Sequence, residues 1–136
     1  VKNDGTEAQD AFLGRWNRPG VVVERFRDLK DLRGLNKGRQ LADFAKPSDF
    51  LVCEPDGLHF AEVKSCQGGV SFPFANIEDG QRSAALKQHA IGGGKNYRFY
   101  IFSYGLGRWF VMDADKFAFT LKMGRSSVKF MELTPW

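Results

Sequence analysis

The 136-residue sequence has the length of one domain built on one hydrophobic core. Its 43% apolar and 26% charged residues exclude a disordered or fibrous chain. No run of 18 apolar residues occurs and residues 1–20 lack the charged-then-apolar order of a secretory signal, so no membrane span is expected and a cytoplasmic location is. The formal charge of +4 is unevenly placed: Arg15, Arg18, Arg25, Arg27, Lys30, Arg33, Lys37, Arg39 and Lys46 all precede Asp49. Such a basic half suits a polyanionic partner, or simply a solubilising face. Cys53 and Cys66 lie on either side of a predicted hairpin and match neither zinc nor disulfide spacing, so both are expected to be buried free thiols.

Residues 4–16 show helical spacing, with Ala8, Phe12 and Trp16 on one stripe and Asp4 placed to cap the start. Asn17, Pro19 and Gly20 end that helix, and Val21 to Phe26 is a β-branched run of strand type. Residues 28–46 mix basic residues with Gly34 and Gly38 and have no firm period, which predicts an exposed connection. Two strand-like runs then flank Glu54-Pro55-Asp56-Gly57, a type I turn sequence. Downstream, Asn76-Ile77-Glu78-Asp79 reads as a capped helix start, and the helix runs to about residue 90 with Gln81, Ala84, Ala85 and Gln88 on one side. Gly92 to Gly94 stops it. Tyr97 to Tyr104 and Arg108 to Met112 read as strands joined at Gly105-Leu106-Gly107. The predicted order is αβββαββ in a single domain spanning residues 1–136.

If Glu54 and Gly57 close a two-residue loop, paired positions sum to 111 and Glu62 falls opposite Asp49; a bulge at Gly57 would shift the register by one and separate them. Lys64 shares the face of Glu62 in either case, because successive side chains of a strand alternate. Opposed carboxylates are unfavourable unless one is protonated or a cation lies between them. Mg²⁺ accepts a few protein oxygens and keeps several waters, so two carboxylates with the Val63 carbonyl suit it, and Lys64 would then orient or deprotonate a water. Spacing alone favours a plainer assignment, with Asp49 capping a strand and Glu62–Lys64 forming a surface ion pair.

Pro47-Ser48-Asp49-Phe50 followed by Glu62-Val63-Lys64 resembles the PD-(D/E)XK nuclease superfamily. Within it, the stretch Ser71-Phe72-Pro73-Phe74-Ala75-Asn76-Ile77-Glu78-Asp79-Gly80-Gln81 resembles the RecU family of Holliday junction resolvases, in which a Ser-Phe-Pro segment leads into a helix carrying a functional glutamine. Phe110 to Phe117 resembles the strand and Ala-Asp-Lys turn that follow in that family, and the likeness covers roughly residues 46–119. It implies an α/β restriction-endonuclease-like core, a mixed central sheet flanked by helices. It also implies Mg²⁺-dependent phosphodiester hydrolysis, with Mn²⁺ able to substitute, and a homodimer that makes paired cuts in branched DNA. By position it makes Asp49 and Glu62 metal ligands, Lys64 the water-activating residue and Gln81 a site-positioning residue. Glu7, the only Glu of the predicted N-terminal helix, corresponds to a metal-directed glutamate of many superfamily members, or else is a helix-start acid favoured by the macrodipole. RecU proteins carry a long stalk before the catalytic aspartate, whereas the corresponding segment here, about residues 27–46, is shorter, as suits a compact phage-type member working in a host cytoplasm or at a nucleoid. Lys30, Arg33, Lys37 and Arg39 sit in that segment and are counted, with Lys46, Ser71 and Arg82, as DNA-contacting residues.

Gly92-Gly93-Gly94-Lys95 follows a helix rather than a strand, contrary to a phosphate loop, and His59 and His89 lack partners at metal-ligand spacing. The rings of Tyr97, Phe99, Tyr100, Phe102 and Tyr104 suit a buried central strand better than a base-stacking surface. Beside a junction-selective endonuclease, two alternatives are carried: a restriction- or repair-type nuclease on duplex or flap DNA, and a DNA-binding protein that keeps the fold without the chemistry.

Overall fold

A computed structural model describes residues 5–27 and 46–136. Asp4 and Lys30, Arg33, Lys37 and Arg39 lie outside the described residues, and with them the predicted connection up to residue 45. The first helix, α1 (Thr6–Trp16), begins after Gly5, which takes the N-cap position in a left-handed conformation at φ +83°. Its stripe is as the spacing predicts: Ala8, Phe12 and Trp16 are buried. Strands β1 (Val22–Arg25), β2 (Phe50–Glu54) and β3 (Gly57–Cys66) form an antiparallel meander. The β2–β3 turn has no bulge, since Glu54 pairs with Gly57 and Leu51 with Phe60, the register in which pairs sum to 111.

From β3 the chain passes through a short strand β4 (Ser71–Pro73) and helix α2 (Asp79–Ala90) before returning as β5 (Tyr97–Ser103), parallel to β3. Strand β6 (Arg108–Asp113) pairs antiparallel with β5; helix α3 (Ala114–Lys122) and strands β7 (Ser127–Lys129) and β8 (Thr134–Pro135) complete the chain. The main sheet is six-stranded and mixed, in the order β1-β2-β3-β5-β6-β8, and β4 pairs with β7 in a separate ribbon. All seven predicted elements occur in their order, and β4, α3, β7 and β8 are additional. The Ala114-Asp115-Lys116 segment, expected as a turn, is the first turn of α3, capped by Asp113, whose Oδ1 accepts from the Lys116 amide at 2.8 Å. Similarly, α2 starts later than expected, with Glu78 rather than Asn76 at its N-cap.

The sheet buries both faces, which is why β5 carries aromatic rings on both, at Tyr97, Phe99, Tyr100 and Phe102. On one face, α1 sets Phe12 against Phe50 and Tyr100, with ring centroids 5.2 and 4.9 Å apart. On the other, α2 and α3 cover Tyr97, Phe99, Ile101, Phe110 and Met112 with Ala85 and Phe117. Strand alternation therefore puts Ala61 and Val63 toward α1 and Phe60 toward α2. Glu62 shares the parity of Phe60, and that alternation turns it toward the helix carrying Gln81. Cys66 is buried, but Cys53 is only half-buried, because it lies near the turn on the outer pair of strands; both are free.

Candidate active site

Asp49 is placed by the turn that precedes β2. The Pro47 carbonyl accepts from Tyr97 Oη at 2.6 Å, Ser48 Oγ donates to the Phe50 carbonyl at 2.8 Å, and the Asp49 carbonyl accepts from the Phe26 amide at 2.9 Å. The two predicted carboxylates then interlock through the backbone. The Asp49 amide donates to Glu62 Oε2 at 3.1 Å, and the Val63 amide donates to Asp49 Oδ2 at 2.9 Å. Asp49 is 5% exposed and Glu62 2%, so this is no surface ion pair.

Two lysines and an amide complete the cluster. Lys46 Nζ lies 3.2 Å from Asp49 Oδ1, and Lys64 Nζ lies 3.7 Å from Glu62 Oε1. Gln81 Nε2 donates to Glu62 Oε1 at 2.6 Å, while Gln81 Oε1 accepts from the Glu78 amide at 3.0 Å. The amide orientation is thereby fixed: one end caps α2 and the other holds the carboxylate. Burial first, and the Asp49 carboxylate second, push the Glu62 carboxyl up from its ordinary 4.5 to about 8, with Lys64 and Lys46 acting against the rise. The two lysines only partly offset the burial and the Asp49 charge, so the carboxyl holds its proton into neutral pH.

These side chains line one cavity of about 410 Å³, to which Gly5, Gln9, Val63, Ser65, Asn76 and Glu78 also contribute. Gln9 is the α1 side chain that reaches it, whereas Glu7 is exposed on α1 and outside that lining. Two helical positions decide this, since Gln9 lies four residues from Gly5 on the cavity side and Glu7 is turned away by about half a turn. Among the described residues, no group of three or more His, Cys, Asp or Glu is gathered for a metal. The oxygens offered are two carboxylates and neighbouring amide or backbone carbonyls, a sparse hard set that fits an ion retaining its own waters.

The other predicted contacts divide. Lys46 joins the carboxylates. Arg82 is turned to its own backbone, with Nε donating to the Ile77 carbonyl at 3.2 Å and Nη2 to the Phe74 carbonyl at 2.6 Å, so it braces the turn before α2. Ser71 is half-buried on β4, opposite Lys129. His59 is buried on the α1 side, 2.8 Å from Tyr100 Oη, and His89 pairs with Asp115 at 2.6 Å.

Comparison with solved structures gives the architecture a precedent. The Holliday junction resolvase Hjc of the archaeal hyperthermophile Archaeoglobus fulgidus superposes with a TM-score of 0.58 over 96% of this chain and 95% of its own, at 11% identity. The chain has the restriction-endonuclease-like fold. A nuclease from a fusselovirus shares it, with a TM-score of 0.52 over 99% of this chain and 89% of its own, at 8% identity. No protein-family model and no curated protein matches the sequence. Within this fold the carboxylate cluster lies where β2, β3 and α2 converge, and no helix of the described residues is long and apolar enough to cross a membrane.

Proposed function

We propose that the chain is a Mg²⁺-dependent DNA endonuclease that acts on four-way junctions as a homodimer, as the likeness to RecU proteins implies. The observation that carries the chemistry is the buried pair Asp49 and Glu62, cross-linked through backbone amides and flanked by Lys46, Lys64 and Gln81. The fold shared with an archaeal junction resolvase and a viral nuclease supports the same reading.

Asp49 and Glu62 would hold the ion, with the Val63 carbonyl beside them. Bound there, a hard divalent cation polarises a phosphodiester and lowers the pKa of a bound water. Lys64 lies on the same strand face as Glu62 and would hold the attacking water or accept its proton. Gln81 keeps Glu62 aimed into the cavity, and its hydrogen bond to the start of α2 makes that aim a property of the helix end. Lys46 offsets the charge of Asp49 and so reduces repulsion toward an incoming phosphate. A four-way junction needs two symmetric cuts, and a two-fold dimer supplies two such cavities.

The test compares cleavage of a four-way junction, a flap and a plain duplex in Mg²⁺ and in Mn²⁺. Paired cuts confined to the junction are expected. Equal cleavage of all three would refute junction selectivity, and no cleavage of any would refute the nuclease itself.

A further inference from the structure

Beside the carboxylate cavity lies a second one of about 340 Å³, which the chemistry above does not use. The two share Lys46 in their walls. Its volume falls in the range of about 300–1,000 Å³ usual for ligand sites. The floor is apolar, made by Pro47, Phe60 and the ring of Tyr97. The outer wall is one side of α2, where Gly80, Ser83, Ala84 and Lys87 recur three and four residues apart.

The walls combine cationic, hydroxyl and apolar groups. Lys46 stands toward the carboxylates and Lys87 on the helix, and Ser83 adds a hydroxyl one turn before Lys87 on α2. Lys87 and Ser83 are exposed, and Lys87 has no acidic partner among the described residues. A cationic rim over an apolar floor takes a phosphate on the rim and a sugar or base against the floor. Adjacent cavities with a common wall suit consecutive nucleotides of one strand.

Resting on the nuclease reading above, we infer that this second cavity receives the nucleotide next to the cut on the scissile strand, and that Lys87 and Ser83 contact its outer phosphate. The site is then a positioning site: it registers the strand so that the phosphate one step away falls over Asp49 and Glu62.

The test uses four-way junctions carrying a single neutral methylphosphonate, moved one position at a time from the mapped cut, with binding measured in Ca²⁺ and single-turnover cleavage in Mg²⁺. Wild-type protein should lose about tenfold in affinity when the phosphate next to the cut is neutral. Lys87→Ala should lose about tenfold on unmodified DNA, lower the slope of log affinity against log salt by about one, and lose nothing further at that methylphosphonate. Ser83→Trp, which fills the cavity from an exposed position, should block cleavage while leaving the Mg²⁺-induced rise in melting temperature unchanged. An unaltered affinity and salt slope in Lys87→Ala, or losses that add to that of the methylphosphonate, would overturn the nucleotide site while wild-type cutting keeps the nuclease reading in place. A wild-type protein that cuts no DNA would overturn both.

Discussion

Replacing Glu62 with Gln isolates the energetics of the buried carboxylate. In the folded protein burial and the neighbouring Asp49 lift this carboxyl to about 8, against 4.5 for the ordinary group. Between those values the folded state binds a proton that the unfolded state has released, so the stability of the metal-free protein falls as pH rises through this window. At about 1.4 kcal/mol per pH unit the whole window is worth at most about 5 kcal/mol. Gln removes the titration but brings an NH₂ group to a place where both Glu62 oxygens accept, from the Asp49 amide and from Gln81 Nε2, so one hydrogen bond worth about 1 kcal/mol is lost. Glu62→Gln should therefore be less stable than wild type by about 1 kcal/mol at pH 4.5 and more stable by about 3 kcal/mol at pH 8. Urea unfolding in EDTA at pH 4.5, 6, 7 and 8 measures both. Added Mg²⁺ should recover the wild-type loss at pH 8 and do little for the variant, because the cation takes the place of the proton. A variant that is destabilised to the same degree at every pH would show that the carboxyl is ionised and fully satisfied in the folded state, and the cation site would lose its electrostatic basis.

Asp49→Asn should lower cleavage by roughly 100-fold or more while junction binding is kept or strengthened, because repulsion toward phosphate falls; parallel gel-shift and cleavage assays decide it, and undiminished cutting removes Asp49 from the site. His59 is buried, and burial first and the Arg98 charge second depress it from 6.5 to about 4. The stability it contributes as a neutral group is complete above pH 6.5 and is lost as pH falls toward 4, at most about 3 kcal/mol, so denaturant titrations of His59→Gln should lack that acid-side loss. Gly105→Ala should cost about 1–3 kcal/mol, because a β-carbon there meets the Gly69 nitrogen at 2.8 Å and the Gln67 carbonyl oxygen at 2.9 Å, both backbone; an unchanged melting temperature would mean that the two loops separate freely.

The elements legible in the sequence were those with a period or a turn signature. The α1 stripe, the β2–β3 turn and the aromatic β5 each carry their burial in residue spacing, and the register followed from the two residues Pro55 and Asp56. Helix α3 carried a signal too, with Asp113 as cap and Ala114, Phe117, Ala118 and Leu121 at helical spacing, but its first residues read equally as a turn after a strand. Strands β4, β7 and β8 are three residues or fewer and exist through partners distant in sequence, Phe72 with Val128 and Val111 with Thr134, which no local pattern reveals. The convergence of Asp49, Glu62 and Lys64 was readable once the turn was fixed. Lys46 as a partner of Asp49 was not, since it comes from the chain entering β2, nor was Gln9 as a cavity residue, because a single helix gives no indication of which polar residue meets a cavity at its end.

His59 and Glu62 lie three residues apart on one strand and face opposite sides of the sheet, and both are buried at 1% and 2% exposure. Yet their consequences have opposite sign. The histidine is neutral, held by Tyr100 Oη within an aromatic layer, and its burial favours the fold at every pH above its ordinary value. The carboxylate is penalised by its burial in the same range, and its two hydrogen-bond donors do not prevent the proton from staying on. A fold that only had to be stable would place at position 62 an apolar residue like Phe60 or Ile101, which pack the same side of the sheet. Two buried acids there, with a glutamine tied into a helix cap to aim one of them, cost stability at one point and supply the preorganised carboxylates that the proposed cation site requires. The stability deficit of the metal-free protein at pH 8 and its recovery by Mg²⁺ are thus the thermodynamic image of the catalytic proposal.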